Sequence, residues 1–142
     1  MGSEGLIAAL CHFQLKVAPI HRDSTGQHAK YASLQSVLSA IGPALAECNL
    51  AITQTFTTDS EGRTLLCTTL HHASGESECS KVPLVIADGR NPLHMWGGAV
   101  TYQRRYAILA ILNLAAGIED DDGDIASTRM TKPASSVKDD FI

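Results

Sequence analysis

Three short runs of strand-forming residues, 50–58, 63–72 and 77–86, are joined by connections too short for anything but hairpins. The first run is rich in Thr and puts Ile52 and Phe56 on one face of the pleat. Asp59 to Gly62 and Ala73 to Glu76 carry the Asp, Ser and Gly that tight turns use. A parallel pair would need a crossover of roughly a dozen residues or more. The sheet is therefore predicted to be an antiparallel meander. Pro83 has no backbone donor, so the third strand should lie at an edge or end there.

Helical periodicity flanks the meander on both sides. Leu6, Ala9, Leu10, Phe13 and Val17 recur at helical spacing, which predicts an amphipathic helix over residues 3–17. Residues 18–32 are polar and turn-rich and read as a loop. Ser33 is placed to cap a second helix whose stripe is Leu34, Val37, Leu38, Ile41 and Leu45. Gly42-Pro43 is expected to kink or restart that helix, because proline removes a backbone bond, and Asn49 offers a left-handed cap at its end. Ala87 to Leu93 reads as a loop, followed by a long helix from about Met95 to Ala116, bounded by Gly117. The expected fold class is α+β: two N-terminal helices, a three-stranded antiparallel β-meander, a long C-terminal helix packed on the sheet and a flexible acidic tail. Residues 1–118 would form the core domain and 119–142 the tail, with no internal repeat.

A net charge of −4 argues against a polyanion partner until its distribution is read. Residues 1–118 hold eight Lys or Arg against eight Asp or Glu, whereas 119–142 hold three against seven. The acidity belongs to the tail, and a neutral body can still focus a basic groove. Cys11, Cys48, Cys67 and Cys79 lack C-x-x-C spacing and read as free thiols of a reducing compartment. With no apolar run long enough to span a bilayer and no basic leader at Met1-Gly2-Ser3-Glu4, no membrane association is expected, and the location is the cytoplasm.

The segment richest in chemistry is Gly97-Gly98-Ala99-Val100-Thr101-Tyr102-Gln103-Arg104-Arg105-Tyr106. Projected at about 100° per residue, Val100, Ala107, Ile111 and Leu114 form one stripe. Thr101, Tyr102, Arg105 and Asn113 fall opposite it, with Arg104 flanking. Arg neutralises phosphate and an aromatic face stacks on a base, a pairing suited to single-stranded nucleic acid. Gly97 and Gly98 could let a phosphate approach backbone N–H groups near a helix start. Lys30, Arg63, Lys81 and Arg90 are the remaining candidate cations. A solvated helix face with ordinary surface ion pairs explains the same residues equally well. From Ala107 to Ala116 the helix is apolar almost all round, so it needs cover on more than one side, from a second subunit or from the N-terminal helices.

Gly97 to Ala107, followed by Glu119-Asp120-Asp121-Asp122-Gly123, resembles the signature of the Erf (essential recombination function) family of phage single-strand annealing proteins. Lys30 to Leu34, Pro43-Ala44-Leu45 and Leu50 to Gln54 resemble that family's first block in order and spacing. The resemblance spans roughly residues 6–124. It implies ATP-independent binding of single-stranded DNA and annealing of complementary strands, by a multimeric ring or filament in a bacterial host, with a meander-plus-helix core. It also implies no catalytic activity and no cofactor, with a single-strand-binding protein or other recombination factor as a further partner. The chain departs from the family in having Asn49 where glycine is common, and in being short. Consistently, no G-x-x-x-x-G-K-[ST] phosphate loop occurs in the sequence.

Three rival chemistries fit the residues less well. The acidic run 119–124 reads as a solvated turn, with cation binding the sharper alternative. A metal nuclease needs carboxylates converging from several elements, and strands 50–58 and 63–72 contain none. Zinc at Cys67, His71, His72 and Cys79 is disfavoured because strand alternation sends His72 to the other face. The remaining alternative is a protein-interaction module without annealing activity. The ending Lys138 to Ile142 resembles the acidic, aromatic tail tip of bacterial single-strand-binding proteins and could compete with DNA for a basic groove.

Overall fold

The computed structural model describes residues 4–26 and 30–115. In chain order these form α1 (Leu6–Lys16), β1 (Ser24–Thr25), β2 (Lys30–Tyr31), α2 (Leu34–Glu47), β3 (Leu50–Thr58), β4 (Thr64–His72), β5 (Ser77–Pro83) and α3 (Pro92–Ile111). The class is α+β, with an antiparallel β1–β2 hairpin and an antiparallel sheet of order β3-β4-β5. One helix, not two, precedes the first strand. The segment read as a loop contains the small hairpin, where Ser24 faces Tyr31 and Thr25 faces Lys30. Two-residue strands are too short to leave an alternating pattern in the sequence. The expected acidic tail lies outside the described residues.

The meander follows from its turns. Leu50 pairs with His72 and Thr58 with Thr64 across β3 and β4, and Leu65 pairs with Pro83 across β4 and β5. Gly62 and Gly75 take φ of 80° and 94° in the two connections, where a Cβ would be strained. Asp59 closes the first turn by accepting from the backbone N–H groups of Glu61 and Arg63 at 2.9 and 2.8 Å. β5 is an edge strand and ends at Pro83, as its missing donor requires.

The core lies between the inner face of the sheet and the helices. Leu6, Ala9 and Phe13 of α1, Val37, Ile41, Ala44 and Leu45 of α2, Leu50 and Leu70 of the sheet, and Ile108, Leu109 and Leu112 form one buried cluster. Cover for the apolar end of α3 thus comes from α1 and α2 of the same chain. The buried stripe of α3 is Arg105, Ile108, Leu109 and the following Leu112, not Val100, Ala107, Ile111 and Leu114. A helix apolar all round leaves its rotation undetermined by periodicity. Packing selects the side with the larger side chains.

Helix ends explain the other differences. Ser33 caps α2, its Oγ accepting from the Ser36 N–H at 3.1 Å. Despite Gly42-Pro43, α2 is a single assigned helix through Glu47. Pro43 and Ser39, the residue whose carbonyl it leaves without a helical donor, are both exposed, so water can serve that carbonyl. Val37, Ile41, Ala44 and Leu45 meanwhile pin both sides of the proline into the core. Asn49 takes the left-handed cap with φ 56°. α3 begins three residues early because Asn91 caps it, accepting from the His94 N–H at 3.2 Å, with Pro92 in the first turn. It stops before Gly117 because Asn113 adopts φ 53°. Leu114 N–H then reaches Leu109 O at 2.8 Å and Asn113 N–H reaches Ala110 O at 3.2 Å, a Schellman closure.

α1 has no capping side chain of its own. Its N-terminus is served from the β4–β5 turn, where a Glu76 carboxylate oxygen accepts from the Leu6 N–H at 2.5 Å. Ser74 holds the same carboxylate oxygen at 3.2 Å. A Cβ at Gly5 would sit 2.9 Å from it, so glycine gives the carboxylate room. Glu76 therefore docks α1 on the sheet. Glu76→Ala is expected to lower the unfolding free energy by about 1 kcal/mol, the usual worth of an N-cap. Urea titration reads this as a shifted midpoint at constant m-value.

Candidate nucleic-acid interface

Tyr31 of β2 and Tyr102 and Tyr106 of α3 surround one guanidinium. Arg105 Cζ lies 4.7 Å from the Tyr31 ring centroid and 5.3 Å from those of Tyr102 and Tyr106. The two α3 tyrosines are one turn apart, so their rings approach to 4.5 Å and Tyr102 Oη donates to Tyr106 Oη at 3.2 Å. Tyr102 is 55% exposed, whereas Arg105 is only 7% exposed. Arg105 thus does not project from the solvent side of α3, where the helical projection puts it. It lies on the buried stripe, where three aromatic faces and the Ala32 carbonyl, which accepts from Nη1 at 3.4 Å, compensate its lost hydration.

The compensation is incomplete. Arg105 Nε is buried without a partner, and among the described residues no carboxylate pairs with this guanidinium. The positive charge is left to interact with whatever meets the tyrosine surface. Burial raises the Tyr106 pKa above its ordinary value, and the Tyr102 hydroxyl adds to the rise, outweighing Arg105. The phenol therefore stays neutral at physiological pH and keeps its hydroxyl proton.

Lys30 is exposed beside Tyr31 in β2, and strand alternation points its side chain away from the face that Tyr31 turns to Arg105. The hairpin is anchored at α2. Asp23 accepts from the Ser33 N–H and the Ser33 hydroxyl, both at 2.7 Å, while the Ser36 hydroxyl donates to His21 O at 2.7 Å. One residue, Ser33, therefore caps α2 and holds the segment leading to Lys30 and Tyr31.

Arg104 is half-buried over the sheet. Its Nε donates to Gln54 Oε1 at 2.9 Å, and Gln54 Nε2 donates to the Arg104 carbonyl at 3.1 Å and to the buried Thr68 hydroxyl at 3.0 Å. Its Nη donors have no protein partner among the described residues. Gln103 fixes the strand exit alongside α3, accepting from Val85 N–H at 3.0 Å and donating to Val85 O at 2.6 Å.

The other candidates fall elsewhere. Arg63 is engaged within its own turn, 2.7 Å from Asp59 and 3.2 Å from Glu61. Lys81 pairs in register with Cys67, placing it on the sheet face opposite the one that carries Gln54, Thr68 and α3. Arg90 is exposed in the loop before the Asn91 cap. Gly97 and Gly98 are inside α3 rather than at its start, so their N–H groups belong to the helix and cannot form the phosphate cradle expected of them. An added Cβ at either would meet nothing within 4 Å, so no packing requirement explains these glycines. Tyr31 and Tyr106 were not among the sequence candidates. Tyr106, one turn from Tyr102, could have been found from helical spacing; the approach of Tyr31 depends on the tertiary fold.

A fold of three helices and antiparallel sheets, with an aromatic surface backed by cations, defines a candidate nucleic-acid-binding protein. The chain matches the ERF superfamily over residues 6–140 and belongs to it, a family tied to recombination and single-strand annealing. No curated protein and no solved structure matches the chain.

Asp23 gives this region a pH signature. Its hydrogen bonds from Ser33, side chain first and then backbone, hold its pKa below the ordinary aspartate value. A depressed carboxylate stabilises the fold above its unfolded pKa, and that contribution is lost as pH falls through the lower folded value. Acidification into that range should release the Ser33 amide, followed by NMR, and Asp23→Asn should remove the transition while neutral-pH spectra of the core persist.

Proposed function

We propose that this chain binds single-stranded DNA and anneals complementary strands without nucleotide hydrolysis, as a homo-multimeric ring or filament in recombination. The observation that carries the reading is the tyrosine surface around Arg105 in a member of the ERF superfamily. Aromatic faces that accept any base, next to cations that meet phosphate, are the two ingredients of sequence-tolerant strand binding. Arg104 contributes its Nη edge, which has no partner among the described residues, and Tyr31, Tyr102 and Tyr106 the stacking faces. Arg90 lies near the start of the same helix and extends the path. Arg63 and Lys81 contribute least, one ion-paired and the other on the far side of the sheet.

Uncovered apolar side chains support self-assembly. Ile7 and Leu15 on α1 are 71% and 85% exposed, Leu93 and Trp96 are exposed where α3 begins, and Val85 is exposed further along it, beside Gln103. Two different apolar patches on one subunit suit head-to-tail contacts, which close into rings or run on as filaments. The same patches also favour the second reading, an interaction module that binds protein and not DNA. Mixing complementary oligonucleotides with the protein, without nucleotide or divalent metal, separates the two: the annealer accelerates pairing and the module leaves the rate unchanged.

Arg104→Ala should weaken single-strand binding and reduce the slope of log K against log salt by about 0.7, the signature of one lost phosphate contact. An unchanged slope in a folded variant removes Arg104 from the phosphate path. Gly97→Ala and Gly98→Ala should each stabilise the fold by roughly 0.5–1 kcal/mol, since interior helical glycine is unfavourable and no neighbour opposes the methyl group. If a strand or neighbouring subunit approaches α3 at these glycines, the stabilised proteins will bind or assemble less well. Thermal melts and binding isotherms on the same samples read both effects.

A further inference from the structure

We infer that Arg105 is a positioning residue: its guanidinium presets Tyr31, Tyr102 and Tyr106 as a rigid stacking platform for bases, and does not itself grip phosphate. The inference rests on the strand-binding reading above and assigns the division of labour within that surface.

Arg105 is buried and turned inward among the rings, with Nη1 on the Ala32 carbonyl. A guanidinium so enclosed cannot hold a phosphate by its fork without leaving the cage. Its planar cation instead faces three aromatic rings from two separate elements, β2 and α3. Its contact adds to the hold on the half-buried Tyr31 and Tyr106, and to that on Tyr102, which is mostly exposed. The Tyr102–Tyr106 hydroxyl bond at 3.2 Å fixes the second coordinate of the α3 pair. Setting the rings beforehand cuts the ordering cost of stacking a flexible strand on them.

The unpartnered Nε, and the absence of a paired carboxylate among the described residues, are consistent with this role. A carboxylate within the cage would neutralise the charge and repel an incoming backbone. Leaving the charge unpaired keeps the platform attractive to a polyanion while the stacking rings make the contact. Arg104, whose Nη donors have no partner among the described residues, is then the α3 cation left to meet phosphate.

Arg105→Lys tests this because it keeps the charge and loses the plane. A lysine binds phosphate as a point charge but cannot lie flat among three rings. The expected result on a poly-dT oligomer is roughly tenfold weaker binding with an unchanged salt slope, on the scale of one lost base stack. The near-UV circular dichroism of the tyrosines should change without DNA, at constant far-UV signal. Tyr102→Leu alone should cost a similar factor, yet add little when combined with Arg105→Lys, since the lysine has already disordered the ring. Wild-type affinity in Arg105→Lys, a fall in slope, or full additivity with Tyr102→Leu overturns the inference. If Arg105→Lys does not fold, Tyr31→Leu and Tyr102→Leu take its place. Their effects should be non-additive, because the two rings sit on one guanidinium from different elements, and additive effects overturn the inference. Wild-type protein that ignores the oligomer sinks the strand-binding reading by itself, whatever the variants do.

Discussion

Burial of α3 on two sides at once is the constraint from which the rest of the arrangement follows. Along one side Arg104 and Trp96 meet Gln54 and Phe56 of the sheet, with the aromatic centroids 5.7 Å apart. Along another, Ile108, Leu109 and Leu112 pack into the cluster formed with α1 and α2. A helix held on two sides has one rotation and one free flank. Tyr102 and Tyr106 lie on that flank, so the same contacts that bury the apolar residues determine which polar ones meet solvent. Deleting a large core residue such as Phe13, fully buried in α1, would typically cost about 3–5 kcal/mol and loosen this registration along with the fold.

Arg105 stands at the boundary between the buried stripe and the free flank. Taking a guanidinium out of water is costly unless other groups replace its hydration. Here the replacements come from the α3 tyrosines and from β2 and the residue after it, through Tyr31 and the Ala32 carbonyl. The cage therefore does structural work, tying a two-stranded hairpin too small to be stable alone onto α3. Asp23 ties the other side of that hairpin to the start of α2. The two ties together fix the hairpin that presents Tyr31, which couples the geometry of the site to the packing of the core.

Sequence periodicity revealed most of the fold where local rules are strong. The meander was legible because its turns carry Asp59, Gly62 and Gly75 at positions that need them. Ser33 and Asn49 marked helix ends because their cap chemistry is local. The rotation of α3 was not legible, since Ala107 to Leu114 offers apolar residues on every side and only the bulk of the partners chooses among them. The β1–β2 hairpin was hidden by its length, and with it the position of Tyr31. For the same reason the site was half visible. Tyr102, Arg104 and Arg105 stood out as a cluster, but whether Arg105 faces water or the core is a tertiary fact. Arg63 shows the converse: a surface arginine in the sequence can be committed to Asp59 and Glu61 within its own turn.

An annealing surface must satisfy two opposed demands. It must overcome the mutual repulsion of two backbones, yet it must not occupy the base edges that pairing needs. Cations on the phosphates meet the first demand, whereas hydrogen bonding to base edges would violate the second. Stacking on tyrosine faces avoids the conflict, because it engages the π-face and leaves the Watson–Crick edge open. Duplex stacking then supplies about 1.4 kcal/mol per base-pair step, a gain that accumulates along the paired length while a platform holds only the few bases on its rings. Nucleotide hydrolysis is unnecessary in such a scheme, because the product is lower in energy than the bound strands. A body whose acids and bases balance over residues 1–118 is compatible with such a scheme, because a modest total charge would let a finished duplex leave.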